Sequence, residues 1–154
     1  MRNTFRKEER LCGELRVSEL FKNGNNVMAY PLRACWRCLS KDKDAEECRI
    51  LEEKGVRVQV LMSVPKKKLR RANKRNRAKR LMRESYRLCK HSLVESLDAS
   101  SNYLQIAFVW VPDTLENYSL VSSKMQRLLD KIRISLEAEN PIASQDSVAQ
   151  SVNV

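Results

Sequence analysis

The fold is decided by residues 56–97, which read VRVQVLMSVPKKKLRRANKRNRAKRLMRESYRLCKHSLVESL. Apolar residues alternate with more polar ones over Val56–Val64, which predicts a β-strand. Pro65 ends this strand, because proline cannot donate a ladder hydrogen bond. A long helix is then predicted over about Ala72–Leu97. One side of its helical wheel carries an apolar stripe that can dock on a sheet, formed by Ala78, Leu81, Met82, Ser85, Cys89 and Leu93.

The opposite side of this helix is cationic, with Asn76, Lys79, Arg80, Arg83, Arg87 and Lys90 on one arc. Between Lys66 and Lys90 there are thirteen Lys and Arg residues and one acid, Glu84, so this window carries +12 of charge. The rest of the chain sums to −1, against a net charge of +11 for the whole. Like charges at i,i+4 destabilise an isolated helix. Because the charge is so localised, we interpret this patch as a binding site for a polyanion and not as a charged face that only contacts solvent.

Further elements are predicted on both sides of this stretch. They are a short helix at Glu14–Asn23 that Gly24 ends, strands at Asn26–Ala29, Leu32–Leu39 and Tyr103–Val111, and a long helix at Ser119–Leu136. The predicted fold class is an α/β (α+β) sandwich, a small mixed sheet with helices in the order α-β-β-(β)-α-β-α. Val56–Val111 is predicted to form a strand–helix–strand crossover. The two long helices would cover one sheet face and leave the other, polar face partly open, with Arg33, Arg37, Arg57, Gln59 and Gln105.

A chain of 154 residues suits a single core. We predict one domain over residues 1–138, interrupted by an acidic and mobile connection at Ser40–Lys54, and a disordered tail at 139–154. No apolar stretch approaches the ~20 residues that span a bilayer. The charged N-terminus has no apolar core of a secretory signal, so we expect a cytoplasmic protein.

The five cysteines predict reduced thiols, because their number is odd and no signal peptide is predicted. Cys35 and Cys38 have the spacing of half a zinc site, but the second half is missing and His91 is the only histidine. On a strand their side chains would point to opposite faces. We therefore expect no metal site and no catalytic residues in the protein itself. Trp36 and Trp110 lie on apolar strand faces and are predicted to be core residues.

A family resemblance is carried by the string Ser63-Val64-Pro65-Lys66-Lys67 and the following Arg75-Asn76-Arg77-Ala78-Lys79-Arg80-Leu81-Met82-Arg83-Glu84. This pattern resembles the signature of the bacterial ribonuclease P protein subunit. Arg10-Leu11 and Leu20-Phe21-Lys22-Asn23-Gly24 are similar to the N-terminal pattern of that family. The resemblance covers about residues 5–136. It implies a left-handed crossover, which periodicity does not predict.

The resemblance also implies a function. The chain would be the RNA-binding subunit of a ribonucleoprotein endoribonuclease that removes the 5′ leader from precursor tRNA. Its partners would be the catalytic RNA and precursor tRNA, with neither membrane nor DNA expected. The RNA would carry out bond cleavage and hold the required Mg²⁺, and the protein would bind no cofactor of its own. The implied RNA contacts are Lys66, Lys67, Arg75, Asn76, Arg77, Lys79, Arg80, Arg83 and Arg87.

The implied leader groove lies between the first helix and the open sheet face, and includes Phe21, Arg33 and Cys35. The family usually has an apolar and an aromatic residue at the last two positions. This chain would therefore hold the leader by charge more than by stacking. The alternative class is a non-catalytic basic-helix module, either ribosome-associated or placing this helix in the DNA major groove. Peripheral membrane binding ranks below both, since the apolar stripe is needed for the sheet.

Overall fold

Alternating apolar residues build a four-stranded mixed sheet in the order β1-β2-β4-β3. The structure is a computed structural model that describes residues 5–139. Its strands are β1 (Asn25–Ala29), β2 (Leu32–Leu39), β3 (Val58–Ser63) and β4 (Tyr103–Trp110). β2 pairs antiparallel with β1 and β4, whereas β3 pairs parallel with β4. The parallel pair confirms the predicted crossover between β3 and β4, while its handedness stays a prediction.

Five helices complete the described chain: α1 (Glu14–Asn23), α2 (Ala45–Lys54), α3 (Ala72–Cys89), α4 (His91–Ser100) and α5 (Tyr118–Glu139). The main core lies between one sheet face and α3, α4 and α5, and we call this face the helix face. The apolar stripe of α5 is fully used there, because Val121, Met125, Leu128, Ile132 and Leu136 are all buried. The predicted α/β sandwich is confirmed. Within residues 5–139, no helix is both long and apolar enough to cross a membrane.

The central strand is β4, as its apolar sequence predicted, and all eight of its residues are buried. Trp36 and Trp110 are core residues, again as predicted. Cys35 and Cys38 lie on opposite faces of β2, packed in different clusters. In the part of the chain that the structure describes, no group of three or more His, Cys, Asp or Glu side chains is arranged to hold a metal ion.

The prediction of a mobile connection at Ser40–Lys54 was wrong, because ten of these residues form α2. Its composition is acidic, but Cys48 and Leu51 lie three residues apart on one face and are buried against Leu39 and Tyr103. Gly55 ends the helix with a φ of +71°, in the left-handed region that glycine adopts without strain. These two apolar residues pack the helix against the sheet.

The single helix predicted over Ala72–Leu97 was also wrong in part, since it is divided at Lys90 into α3 and α4. The predicted disordered tail begins at Glu139, which ends α5, and its other residues lie outside those that the structure describes.

Candidate nucleic-acid interface

Helix α3 is held to the sheet by the predicted stripe. Ala78, Met82 and Ser85 are buried, and Leu81 and Cys89 pack against the core from its margin. Tyr86 is also buried, between the rings of Phe5 and Phe108. The predicted stripe does not include this tyrosine, although its position one residue after Ser85 places it at the edge of the stripe. The anchored face leaves the opposite arc of α3 to solvent.

The N-terminal part of the cationic arc of α3 displays arginines that have no carboxylate partner among the described residues. Asn76, Arg77 and Arg80 are exposed, whereas Lys79 and Arg83 are half-buried. Among residues 5–139, no acidic side chain lies within ion-pair distance of Arg77, Arg80 or Arg83. A shallow depression of about 560 Å³ follows this arc and is lined by Asn73, Asn76, Arg77, Arg80, Leu81 and Arg83. Uncompensated guanidinium groups around a depression suit the binding of phosphates.

Two cations of the predicted arc form ion pairs within the protein. Arg87 pairs with Glu84 at 2.6 Å. Lys90 was assigned to the exposed arc, and this was wrong, because its ammonium is buried and donates a hydrogen bond to Glu9 at 2.6 Å. A helical wheel cannot predict this contact, because Glu9 belongs to a short 3-10 helix, Lys7–Glu9, that is distant in the sequence.

Arg75 has a positioning role that the sequence analysis did not include. Its Nη1 donates hydrogen bonds to the carbonyl oxygens of Leu69, at 3.0 Å, and Arg70, at 2.7 Å. These bonds join α3 to the preceding segment, residues 65–71, which we call the basic turn. Leu69 is buried and anchors this turn to the core. The side chains around Leu69 are exposed: Lys66, Lys67, Lys68, Arg70 and Arg71.

A second depression, of about 370 Å³, lies in the basic turn. It is lined by Lys67, Lys68, Leu69, Arg70, Arg71 and Lys74, with Asp113 as its one acidic residue. The basic turn and α3 therefore form one continuous cationic surface, and the predicted contacts Lys66, Lys67, Arg77 and Arg80 all lie on it.

The second face of the sheet, which we call the groove face, is covered unevenly. Its more accessible end is a row of register neighbours on the four strands, in which only Val109 is buried: Met28, Arg33, Val109 and Ser63. Met28 is exposed, and Arg33 and Ser63 are half-buried. We call these four residues the open row. Because β3 continues from Ser63 into Pro65, the open row leads directly into the basic turn.

Cys35 is a correction to the predicted groove, because its side chain is only 1% exposed. It lies two residues along β2 from the open row, beneath α1, and its Sγ donates to the Leu20 carbonyl at 3.3 Å. Burial raises the pKa of this thiol. Helix α1 comes this close because Gly24 has no side chain. A Cβ at Gly24 would lie 2.5 Å from the Leu20 oxygen and 2.7 Å from Cys35 Sγ.

Comparison with known proteins decides the family. The sequence matches the Ribonuclease P family over residues 5–133. A ribonuclease P protein component from Porphyromonas gingivalis is 39% identical over 126 residues, which are 82% of this chain and 84% of that protein. One from Chlorobium phaeobacteroides is 31% identical over 140 residues, 86% and 90% of the two chains. This chain belongs to the ribonuclease P protein family.

The fold agrees with that membership. The structure of the Staphylococcus aureus RNase P protein superposes with a TM-score of 0.59 at 18% identity, covering 80% of this chain and 94% of that one. The interpretation that this chain is the protein component of an endoribonuclease is thereby confirmed, and a DNA-binding or ribosomal module is not favoured. Two of the three residues predicted for the leader groove are accessible in this fold. Phe21 on α1 is 39% exposed, and Arg33 stands in the open row.

Proposed function

We propose that the cationic surface of α3 and the basic turn binds the catalytic RNA of ribonuclease P, and that the open row binds the 5′ leader of precursor tRNA. The observation that carries this proposal is that two arginines without carboxylate partners in the described part of the chain, Arg77 and Arg80, are exposed on a helix whose other face is buried in the core. Each phosphate that they contact releases about one counterion, so affinity should fall steeply with salt.

The position of the open row supports the second half of the proposal. Ser63 at one end of the row is joined to the basic turn by the chain itself, so a strand of RNA in the row would lie next to RNA bound on α3. Arg33 supplies positive charge within the row, and Phe21 supplies an exposed ring on which a base can stack. The protein would thus hold leader and catalytic RNA side by side, in the cytoplasm where precursor tRNA is made.

The cationic surface does not fit a Mg²⁺ site of its own. Mg²⁺ takes oxygen ligands, commonly carboxylates. The carboxylate on α3 is that of Glu84, and Arg87 holds it at 2.6 Å. The neighbouring side chains are guanidinium and ammonium groups, which repel a divalent cation. The residues present fit the binding of RNA phosphates, and we assign no step of the cleavage to them.

The test is reconstitution of the full chain with ribonuclease P RNA and precursor tRNA at low Mg²⁺. We expect the protein to stimulate leader removal. The Arg77→Ala/Arg80→Ala variant should lose most of this stimulation, weaken RNA binding and reduce the salt slope by about two. Its melting temperature should stay unchanged, because both side chains are exposed.

A matched control removes the same charge elsewhere. Arg127 on α5 and Arg49 on α2 are both exposed, so Arg49→Ala/Arg127→Ala changes the net charge equally outside the proposed surface. We expect this variant to stimulate leader removal almost as the unchanged chain does. No stimulation by the unchanged chain would refute the proposal. Equal losses in the two variants would show that net charge, not this surface, binds the RNA.

A further inference from the structure

We propose that α2 closes one end of the groove face and thereby limits the leader to the open row. The protein then contacts only a short segment of the leader. The inference rests on the proposed function, since it takes the open row as the place where the leader binds. It assigns a specificity role to Glu47, which lies outside the proposed RNA-binding surface.

The closed end begins one row beyond Cys35. In this row Arg37, Gln105 and Gln59 are register neighbours on β2, β4 and β3. The row lies four residues from the open row, a separation of about 13 Å along a strand. Gln59 and Gln105 were predicted to lie on a partly open face. This was wrong, because they are 0% and 1% exposed.

These glutamines are covered by a polar network that joins α1 to α2. Arg16 on α1 donates through Nε to Glu47 Oε2 at 2.8 Å, and through Nη2 to the side-chain oxygen of Gln59. Gln105 Nε2 donates to the same Glu47 oxygen at 3.2 Å. Glu47 therefore neutralises Arg16 and accepts a hydrogen bond from the Gln105 amide nitrogen at once, and its carboxylate links α2 to both α1 and the sheet.

The second cation of this end is neutralised in the same way. Arg37 lies 2.5 Å from Asp44, directly before α2, and 3.3 Å from Glu19 on α1. Arg33 in the open row differs, since among residues 5–139 no carboxylate pairs with it. The groove face thus has an uncompensated cation at one end and compensated cations at the other.

This asymmetry sets where a leader can bind. At the open row a phosphate meets Arg33 and the nearby lysines of the basic turn. At the closed end it would have to displace Glu47 or Asp44 from an arginine, and the displaced carboxylate would repel it. Leader nucleotides beyond the open row therefore gain no contact with the protein.

The experiment measures the affinity of the reconstituted holoenzyme for precursor tRNAs with leaders of increasing length. For the unchanged chain we expect affinity to stop increasing once the open row is filled. Arg33→Ala should weaken binding of every leader that reaches the row, whereas Arg16→Ala should leave affinity unchanged. Glu47→Gln keeps the shape of the side chain and an acceptor for Gln105, but it releases Arg16 from its counter-charge.

We expect Glu47→Gln to bind long leaders about fivefold more tightly, with a salt slope steeper by about one, and short leaders no better. Adding Arg16→Ala to this variant should abolish the gain. The matched control is Glu53→Gln, which makes the same charge change on the exposed side of α2, where Glu53 lies 4.0 Å from Arg49. It should produce no gain specific to long leaders.

The failure of this inference is distinct from that of the proposed function. If leader removal is stimulated but Glu47→Gln behaves as Glu53→Gln does, α2 does not limit the leader. The same holds if Arg16→Ala in the unchanged background weakens binding of long leaders. If the unchanged chain does not stimulate leader removal at all, the proposed function itself is overturned.

Discussion

Lys90 Nζ lies 2.6 Å from Glu9 Oε1, and the two side chains are only 6% and 11% exposed. This buried ion pair ties the N-terminal segment to the junction of α3 and α4. The same segment borders the edge of β3, where Leu11 N donates to the Val60 carbonyl at 2.9 Å. The pair thus links the first residues of the described chain to the helix that carries the cationic surface.

Removing one partner of this pair should destabilise the protein strongly. Glu9→Ala leaves the Lys90 ammonium buried without its counter-charge, which costs about 3 kcal/mol or more in free energy of unfolding. Glu9→Ala/Lys90→Met should recover much of the loss, because no buried charge remains. Urea unfolding measures both. The control is Glu53→Ala, which breaks an exposed pair and should cost less than about 0.5 kcal/mol. Equal effects of Glu9→Ala and Glu53→Ala would contradict the burial of the pair.

Most of the elements predicted correctly have an apolar periodicity, whereas β4 was predicted from a continuous apolar run and is buried on both faces. The alternation in Val56–Val64 and Leu32–Leu39 and the stripes of α3 and α5 each follow from contact with one core. Helix α2 was missed because only two of its ten residues, Cys48 and Leu51, are buried, and charged residues surround so short an apolar stripe. The charge of the cationic surface could likewise be predicted, because an excess of Lys and Arg in one stretch is visible in the sequence without knowledge of any tertiary contact.

The parts of the site that could not be predicted depend on contacts between distant segments. The helical wheel places Lys90 on the exposed arc, but its ion pair with Glu9 buries it. Arg75 is likewise bound by the carbonyl groups of the basic turn, which the helix sequence alone does not predict. Similarly, the alternation of residues on β2 correctly assigns Cys35 to the groove face, but it does not predict that α1 covers this side chain. Sequence patterns assign a side chain to a face, and only the packing of the elements decides whether that face is open.

Tyr86→Phe should stabilise the protein. The tyrosine ring is fully buried, and its hydroxyl has no hydrogen-bond partner among the residues that the structure describes. A buried hydroxyl without a partner loses its hydration at a cost of about 1 kcal/mol or more, which phenylalanine avoids. We expect a higher urea midpoint with an unchanged m-value, and no change for Tyr118→Phe, whose side chain is exposed. A lower midpoint would mean that the hydroxyl is hydrogen-bonded in solution.

Alkaline pH should destabilise the fold through its buried thiols. Burial is the main cause that raises the pKa of Cys35, Cys48 and Cys89 above 9.0. The unfolded chain therefore releases these protons at lower pH than the folded one. The stability that the protonated thiols contribute is complete below pH 9.0 and is lost as pH rises through their folded-state pKa.

The measurement is the free energy of unfolding between pH 8 and pH 11, approximately the range that brackets these thiols. Each buried thiol steepens the decline by at most about 1.4 kcal/mol per pH unit. Cys48→Ala should therefore flatten the decline, whatever its effect on stability at neutral pH. Cys12→Ala should leave the slope unchanged, because Cys12 is exposed. Identical slopes for Cys48→Ala and the unchanged chain would exclude Cys48 as a source of the alkaline loss.

Arg75→Ala should loosen the basic turn as well as remove a charge. The amides of Lys68 and Leu69 both donate to the Pro65 carbonyl, at 3.0 and 3.3 Å, so they report directly on the turn. Arg75 contributes two hydrogen bonds to it, each worth about 1 kcal/mol, so their loss should speed exchange of these two amides about thirtyfold. Arg77→Ala is the matched control, because it removes the same charge two residues away without a bond to the turn. It should reduce the salt slope of RNA binding by about one and leave both exchange rates unchanged. If Arg75→Ala alters RNA binding but not amide exchange, Arg75 acts on the RNA alone and does not position the turn.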